Sequence, residues 1–311
     1  MKTLNLSRQK KHQSAFTLIE IMVATVVMIV LTGLVIQITS EVLKVWNRSS
    51  GKLSANAEAR IAMDLLTQDL ETAVFRNNGL RWLEAETKEI ASVAGYQPQT
   101  INLLLFSPAL DRPLKDKDSK VIPGDICAVQ YELVYQNPVS GGSSRAEDNM
   151  FALHRRVIDP STTFNQIMGA GNQETFTSWD DAIVTPAVTT LSLDPYPAPE
   201  DSQNYLVGHV ANFTVDFYVI DNNGDEVKVP SPINFGGTTP TVGRGATSNL
   251  AFPLAYAEIS LTILSDEGTK LLQNLAANRG GTGFDFGDGE GIVRQYGEVF
   301  TRRVNFLARP L

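Results

Sequence analysis

Phe16-Thr17-Leu18-Ile19-Glu20 and the twenty residues that follow, Ile21 to Ser40, decide how this chain of 311 residues is organised. No charge interrupts Ile21–Ser40. Twenty residues in helical form span roughly 30 Å, about the thickness of a bilayer's hydrocarbon core. A transmembrane helix over 16–40 is therefore expected. Ahead of it, residues 1–15 hold Lys2, Arg8, Lys10 and Lys11 and no acidic side chain. Basic residues before the span, and none close behind it, favour a cytoplasmic N-terminus and place everything after residue 40 across the membrane. The formal net charge of −8 thus divides into a segment of +4 and a remainder with 22 basic and 34 acidic side chains. A cleavable secretory signal is the rival reading, but no small-x-small site follows Ile36, and such a signal has no use for Glu20.

A carboxylate at the edge of a membrane helix is costly and usually has a partner. The residues around it make a pattern: Lys10-Lys11-His12-Gln13-Ser14-Ala15, then Phe16-Thr17-Leu18-Ile19-Glu20 and an apolar helix. This resembles the cleavage and N-methylation site of the type IV prepilin and pseudopilin family. The resemblance implies that a prepilin peptidase cuts between Ala15 and Phe16 and methylates the new Phe16 amine. It further implies that Glu20 pairs with the Phe16 amine of a neighbouring subunit during filament assembly. That family usually has glycine where this chain has Ala15, and alanine is the nearest substitute in size.

Past the span, Leu53, Ala57, Ile61 and Leu65 recur every four positions, extended by Leu66, Leu70 and Ala73, with Glu58, Arg60, Asp64, Asp69 and Glu71 on the other face. This spacing predicts that an amphipathic helix over 41–78 lays that stripe on the protein's own head. Ser49-Ser50-Gly51 offers a bend and Asn77-Asn78-Gly79 a stop. From residue 79 to 311 the period changes to two. Thr100–Phe106, Ile126–Tyr135, Phe151–Ile158, Val210–Ile220, Ala255–Leu264 and Glu298–Leu307 read as strands. They are separated by turn-rich stretches at Pro138–Ser144, Asp194–Asn204, Pro230–Pro253 and Asn278–Gly291, and Asp221–Asp225 reads as a hairpin loop. The expected architecture is α+β: a long N-terminal helix, anchor then extracytoplasmic half, packed on a mainly antiparallel β-sheet head with long loops.

The order of these elements loosely resembles minor pseudopilin J of type II secretion systems. The segment Asp64–Phe75 is similar to that family's helix. A Tyr-x-Leu strand, Tyr131 to Leu133, is followed by a Leu-x-Arg strand, Leu153 to Arg155, and Leu206–Ile220 and Ala255–Leu264 resemble its closing strands. The chain's length is closer to larger prepilin-like proteins such as the Verru_Chthon cassette families.

Motifs for catalysis or cofactors are missing from the sequence: it holds no GxSxG, HExxH, P-loop or CxxC. His154 and His209 fall in separate strands, and Cys127 reads as a small buried hydrophobe. The Gly281-Thr282-Gly283 stretch lacks the strand-to-helix context of a dinucleotide fingerprint. Two acidic loops, with Asp221 and Asp225 in one and Asp285 and Asp288 in the other, carry oxygen ligands suited to calcium. Ordinary turn chemistry explains the same residues. Three classes of function follow. The first is a structural minor subunit of a type IV filament or type II secretion pseudopilus, with a prepilin peptidase, other pilins and an inner-membrane assembly platform as partners. The second is a filament-anchored protein for adhesion or DNA uptake, to which acidity is unfavourable but a patch at Arg302, Arg303 and Arg309 is relevant. The third is a membrane-anchored extracytoplasmic enzyme, which the missing catalytic constellation disfavours.

Overall fold

A computed structural model describes residues 17–76, 80–108, 126–139, 148–160, 163–164, 204–237, 239–247, 249–277 and 289–306. Helix α1 runs from Leu18 to Glu71 and remains helical through Ser49–Gly51. The chain divides into two compact units, Met1–Ser50 and Gly51–Leu311. The stop expected at residues 77–79 lies outside the described residues.

In the first unit every residue from Thr17 to Trp46 is exposed, including Leu18, Ile29, Ile36 and Trp46 at 65–77%. The threonines within this apolar stretch do not leave open polar groups. Thr25, Thr32 and Thr39 donate their hydroxyls to the carbonyls of Met22, Met28 and Val35, each at 2.8 Å. Such back-bonding makes a polar side chain tolerable in an apolar medium.

In the second unit the helix packs on a ten-stranded, mainly antiparallel sheet. Its strands are β1 (Arg81–Lys88), β2 (Thr100–Ser107), β3 (Cys127–Gln136), β4 (Met150–Ile158), β5 (Tyr205–Val207), β6 (Val210–Ile220), β7 (Glu226–Lys228), β8 (Ile233–Gly236), β9 (Leu254–Leu264) and β10 (Gly297–Asn305). The main order is β10-β9-β6-β2-β3-β4-β5, with β1 and β8 beside β2 and β7 beside β6. A parallel pairing, Thr100 with Phe213, joins β2 to β6, and the other pairings between these described strands are antiparallel. Two short helices, α2 (Asp266–Ala277) and α3 (Gly289–Tyr296), lie between β9 and β10.

Of the stripe expected to pack on the head, Leu66, Leu70 and Ala73 are buried, but the four-residue row that begins at Leu53 is not. Leu53 and Ile61 are 69% and 56% exposed, Ala57 is exposed and Leu65 is half-buried. The buried face is Ala55, Ala59, Ala62, Met63, Leu66, Asp69 and Leu70. Strict i, i+4 spacing drifts around a helix of 3.6 residues per turn, so such a row does not hold one direction. Three of the seven buried residues are alanines. At Gly51 a Cβ would lie 3.2 Å from the Cβ of Ser265, the residue that follows β9. The helix ends where Val74 N–H donates to Phe106 O at 2.8 Å, committing the chain to the sheet. Phe75 then enters an aromatic cluster, edge-on to Phe235 and Phe306 at 5.0 and 5.3 Å.

Each strand expected from period-two alternation is present within two residues at either end, and Asp221–Asp225 is the β6–β7 hairpin with Gly224 at φ +87°. Strand β1, eight residues long, the three short strands β5, β7 and β8, and both short helices were not expected. Strand β8 lies inside Pro230–Pro253, which read as turn.

Candidate functional site

Glu20 sits in the first turn of α1. Thr17 caps that turn: its Oγ1 accepts from Glu20 N–H at 3.3 Å, and its carbonyl accepts from the same N–H at 3.1 Å. The carboxylate is thus at the positive end of the helix dipole, among exposed apolar residues, Leu18, Ile19, Ile21, Met22, Val23 and Ala24. Ala15 and Phe16 lie outside the described residues.

In the head, three residues that the sequence scattered meet in one buried cluster. Asp69 from α1, Tyr131 from β3 and Arg155 from β4 are each 3% exposed or less. Arg155 forks onto the carboxylate, donating Nε–H to Oδ2 at 2.8 Å and its terminal NH2 to Oδ1 at 3.0 Å. The Tyr131 hydroxyl donates to Oδ2 at 2.5 Å and accepts from Arg155 Nε at 3.0 Å. Burial, and then the Asp69 charge, push the Tyr131 phenol well above its ordinary range, so it stays protonated as a donor. Ser107 and Thr72 extend the chain of hydroxyls at 3.5 and 2.9 Å. With charge compensated and polar atoms partnered, this is a staple between helix and sheet. Tyr131 and Arg155 belong to the Tyr-x-Leu and Leu-x-Arg patterns. Asp69 was assigned to the solvent face, and only its being acidic beside two leucines hinted otherwise.

The remaining candidates do not converge. His154 is buried in β4 with Nδ1 at 3.2 Å from Ala152 O, while His209 meets Thr269 Oγ1 at 2.8 Å. Cys127 is 4% exposed. In the β6–β7 loop, Asp221 Oδ1 accepts the backbone N–H of Asn223 and Asp225 at 2.8 and 2.9 Å, and Oδ2 accepts from Asn223 Nδ2. These bonds, that of Asp225 foremost, hold the Asp221 carboxyl below its ordinary range. They are the bonds of a turn closing on its own aspartate. Asp285 and Asp288 lie outside the described residues, and no group of three His, Cys, Asp or Glu suited to a metal occurs among those described. The arginine patch is not free: Arg302 reaches Asp64 at 2.7 Å, while Arg303 reaches Glu226 at 3.1 Å and stacks 3.5 Å over Tyr256. Arg309 is outside the described residues.

The prokaryotic N-terminal methylation motif matches residues 10–36. The N-terminal segment carries a prepilin-type motif. The match covers the basic segment, Phe16–Glu20 and most of the apolar helix, and leaves the head unaddressed. No curated protein matches the chain. Among solved structures, the type IV-like pilin TTHA1219 from Thermus thermophilus is similar over 82% of this chain and 97% of its own, at 12% identity and a TM-score of 0.36. A likeness that slight carries no weight here. For a pilin-like chain the motif implies processing by a prepilin peptidase and assembly with other pilins, and it points to a structural protein. The apolar helix near the N-terminus is compatible with a membrane anchor.

Proposed function

We propose that this protein is a minor structural subunit, a pilin or pseudopilin, of a type IV filament or type II secretion pseudopilus. The observation that carries this reading is the methylation motif running directly into a helix whose side chains from Leu18 to Trp46 are all exposed. The precursor resides in the inner membrane with its basic segment in the cytoplasm, as positive charge ahead of the span favours. Prepilin peptidase removes residues 1–15 and methylates Phe16. An assembly platform in the same membrane then draws the helix against those of other pilins, with the head outside the cytoplasm.

Glu20 sets the register. Cleavage leaves a cationic amine on Phe16 in apolar surroundings, where it needs a counter-charge. The Glu20 carboxylate of a neighbour supplies one when helices pack at staggered heights. Leaving one member of a buried ion pair alone costs about 3–5 kcal/mol, enough to select one arrangement. Leu53, Ala57 and Ile61, which the head leaves uncovered, give apolar surface to the same lateral packing.

The test is Glu20→Ala expressed with the other pilins of the same cell. The variant is expected to insert in the membrane and to lose its initial fifteen residues, yet to drop out of the complexes that wild type enters on co-purification. Recovery of the variant at wild-type levels in those complexes defeats the pairing. A mature N-terminus other than Phe16 by mass spectrometry defeats the processing.

A further inference from the structure

Where α1 meets the head near Glu58, the packing leaves one carboxylate oxygen without a partner. Glu58 is half-buried, and its Oε2 is inaccessible to solvent and has no hydrogen-bond partner. Two groups act on it directly, Asp266 in the first turn of α2 and Tyr205 from β5. A third, His209, stands behind Asp266 in the β5–β6 turn, where it adopts φ +58°. His209 Nε2 lies 3.6 Å from Asp266 Oδ1 while its Nδ1 meets Thr269 Oγ1. No ion pair reaches Glu58 among the described residues. Asp266 already occupies the turn where the α2 dipole holds an anion, so an ionised Glu58 meets a like charge and no compensation.

We infer that Glu58, Asp266 and His209 form a proton-operated latch, which holds residues 51–62 of α1 on the head while Glu58 is protonated and loosens them as it ionises. Burial first, and Asp266 second, raise Glu58 from 4.5 to about 7. The group is thus protonated in the closed form at pH values where a released Glu58 is ionised. The stabilisation is complete below pH 4.5, falls as pH rises towards 7 and is gone above it. His209 acts in the opposite sense. Burial lowers its pKa despite the nearby Asp266 charge. Its contact with Asp266 is therefore that of a neutral imidazole, and acid below 6.5 opposes closure through this group. The closed latch is the form in which both are uncharged.

Amide hydrogen exchange of residues 51–62 in the full-length chain in detergent, corrected for intrinsic rate at each pH, reads the latch. Protection in Glu58→Gln divided by that in wild type is expected to be near one at pH 5. It should rise roughly tenfold by pH 7.5, a figure reduced from the full linkage because the group is half in solvent, and then stay level. Asp266→Asn should move the midpoint of the wild-type loss to lower pH. His209→Asn, a residue tolerant of positive φ, should steepen that loss below pH 6.5. A ratio that does not change with pH overturns the latch. If Glu58→Gln does not fold, an unmoved midpoint in Asp266→Asn overturns it instead.

Discussion

Arg155 shows what a single side chain contributes to this head. At 1% exposure it is held by both oxygens of Asp69 and by the Tyr131 hydroxyl. Replacing it with methionine keeps volume and removes charge, leaving the Asp69 carboxylate buried beside a phenol. The expected loss is about 3–5 kcal/mol in chemical denaturation of the head. Adding Asp69→Leu to that variant should recover part of the loss, because an apolar pair of similar size needs no compensation. A double variant no better than Arg155→Met would mean that Asp69 contributes through shape rather than charge. The sequence contained Tyr131 and Arg155 as members of strand patterns, and Asp69 as one of five charges on a helix. Nothing local marks a pair 86 residues apart, because an ion pair is chosen by how elements pack and the sequence reports only their periods.

At the scale of elements, β2, β3, β4, β6, β9 and β10 were legible because each is long and rich in β-branched or aromatic residues. Strands β7 and β8 are three and four residues long, too short to show a period, and β8 is held by pairing Ile233–Gly236 against β1. The helix face was read in part. Leu66, Leu70 and Ala73 are buried as expected, but ahead of them the contact runs through Ala55, Ala59 and Ala62 rather than Leu53, Ala57 and Ile61. This distinction has a measurable consequence. Ile61→Asn, on the exposed face, should change head stability by no more than about 0.5 kcal/mol. Ala59→Leu, at a position 1% exposed, must push helix from sheet and should cost about 1–3 kcal/mol. Denaturation curves giving the reverse order would return the Leu53–Ile61 stripe to the core.

Over the whole molecule, the two halves of the chain answer to different solvents. The described core draws its residues from Ala55 to Phe306. Residues 1–15 contribute +4 to a chain of −8, and on the proposed reading their removal does two things together. It exposes the Phe16 amine that Glu20 requires, and it detaches the charges that hold the N-terminus in the cytoplasm. Position 15 then governs assembly without touching the fold. Ala15→Gly is expected to speed conversion of precursor to mature chain in pulse-labelled cells. Ala15→Val should leave most of the chain as precursor, because a β-branched residue crowds the scissile bond. Both variants should melt at the wild-type temperature, and the valine chain should be missing from filaments. If Ala15→Val is cut as fast as wild type, the processing site lies elsewhere. If its precursor enters filaments intact, a free Phe16 amine is not what Glu20 binds.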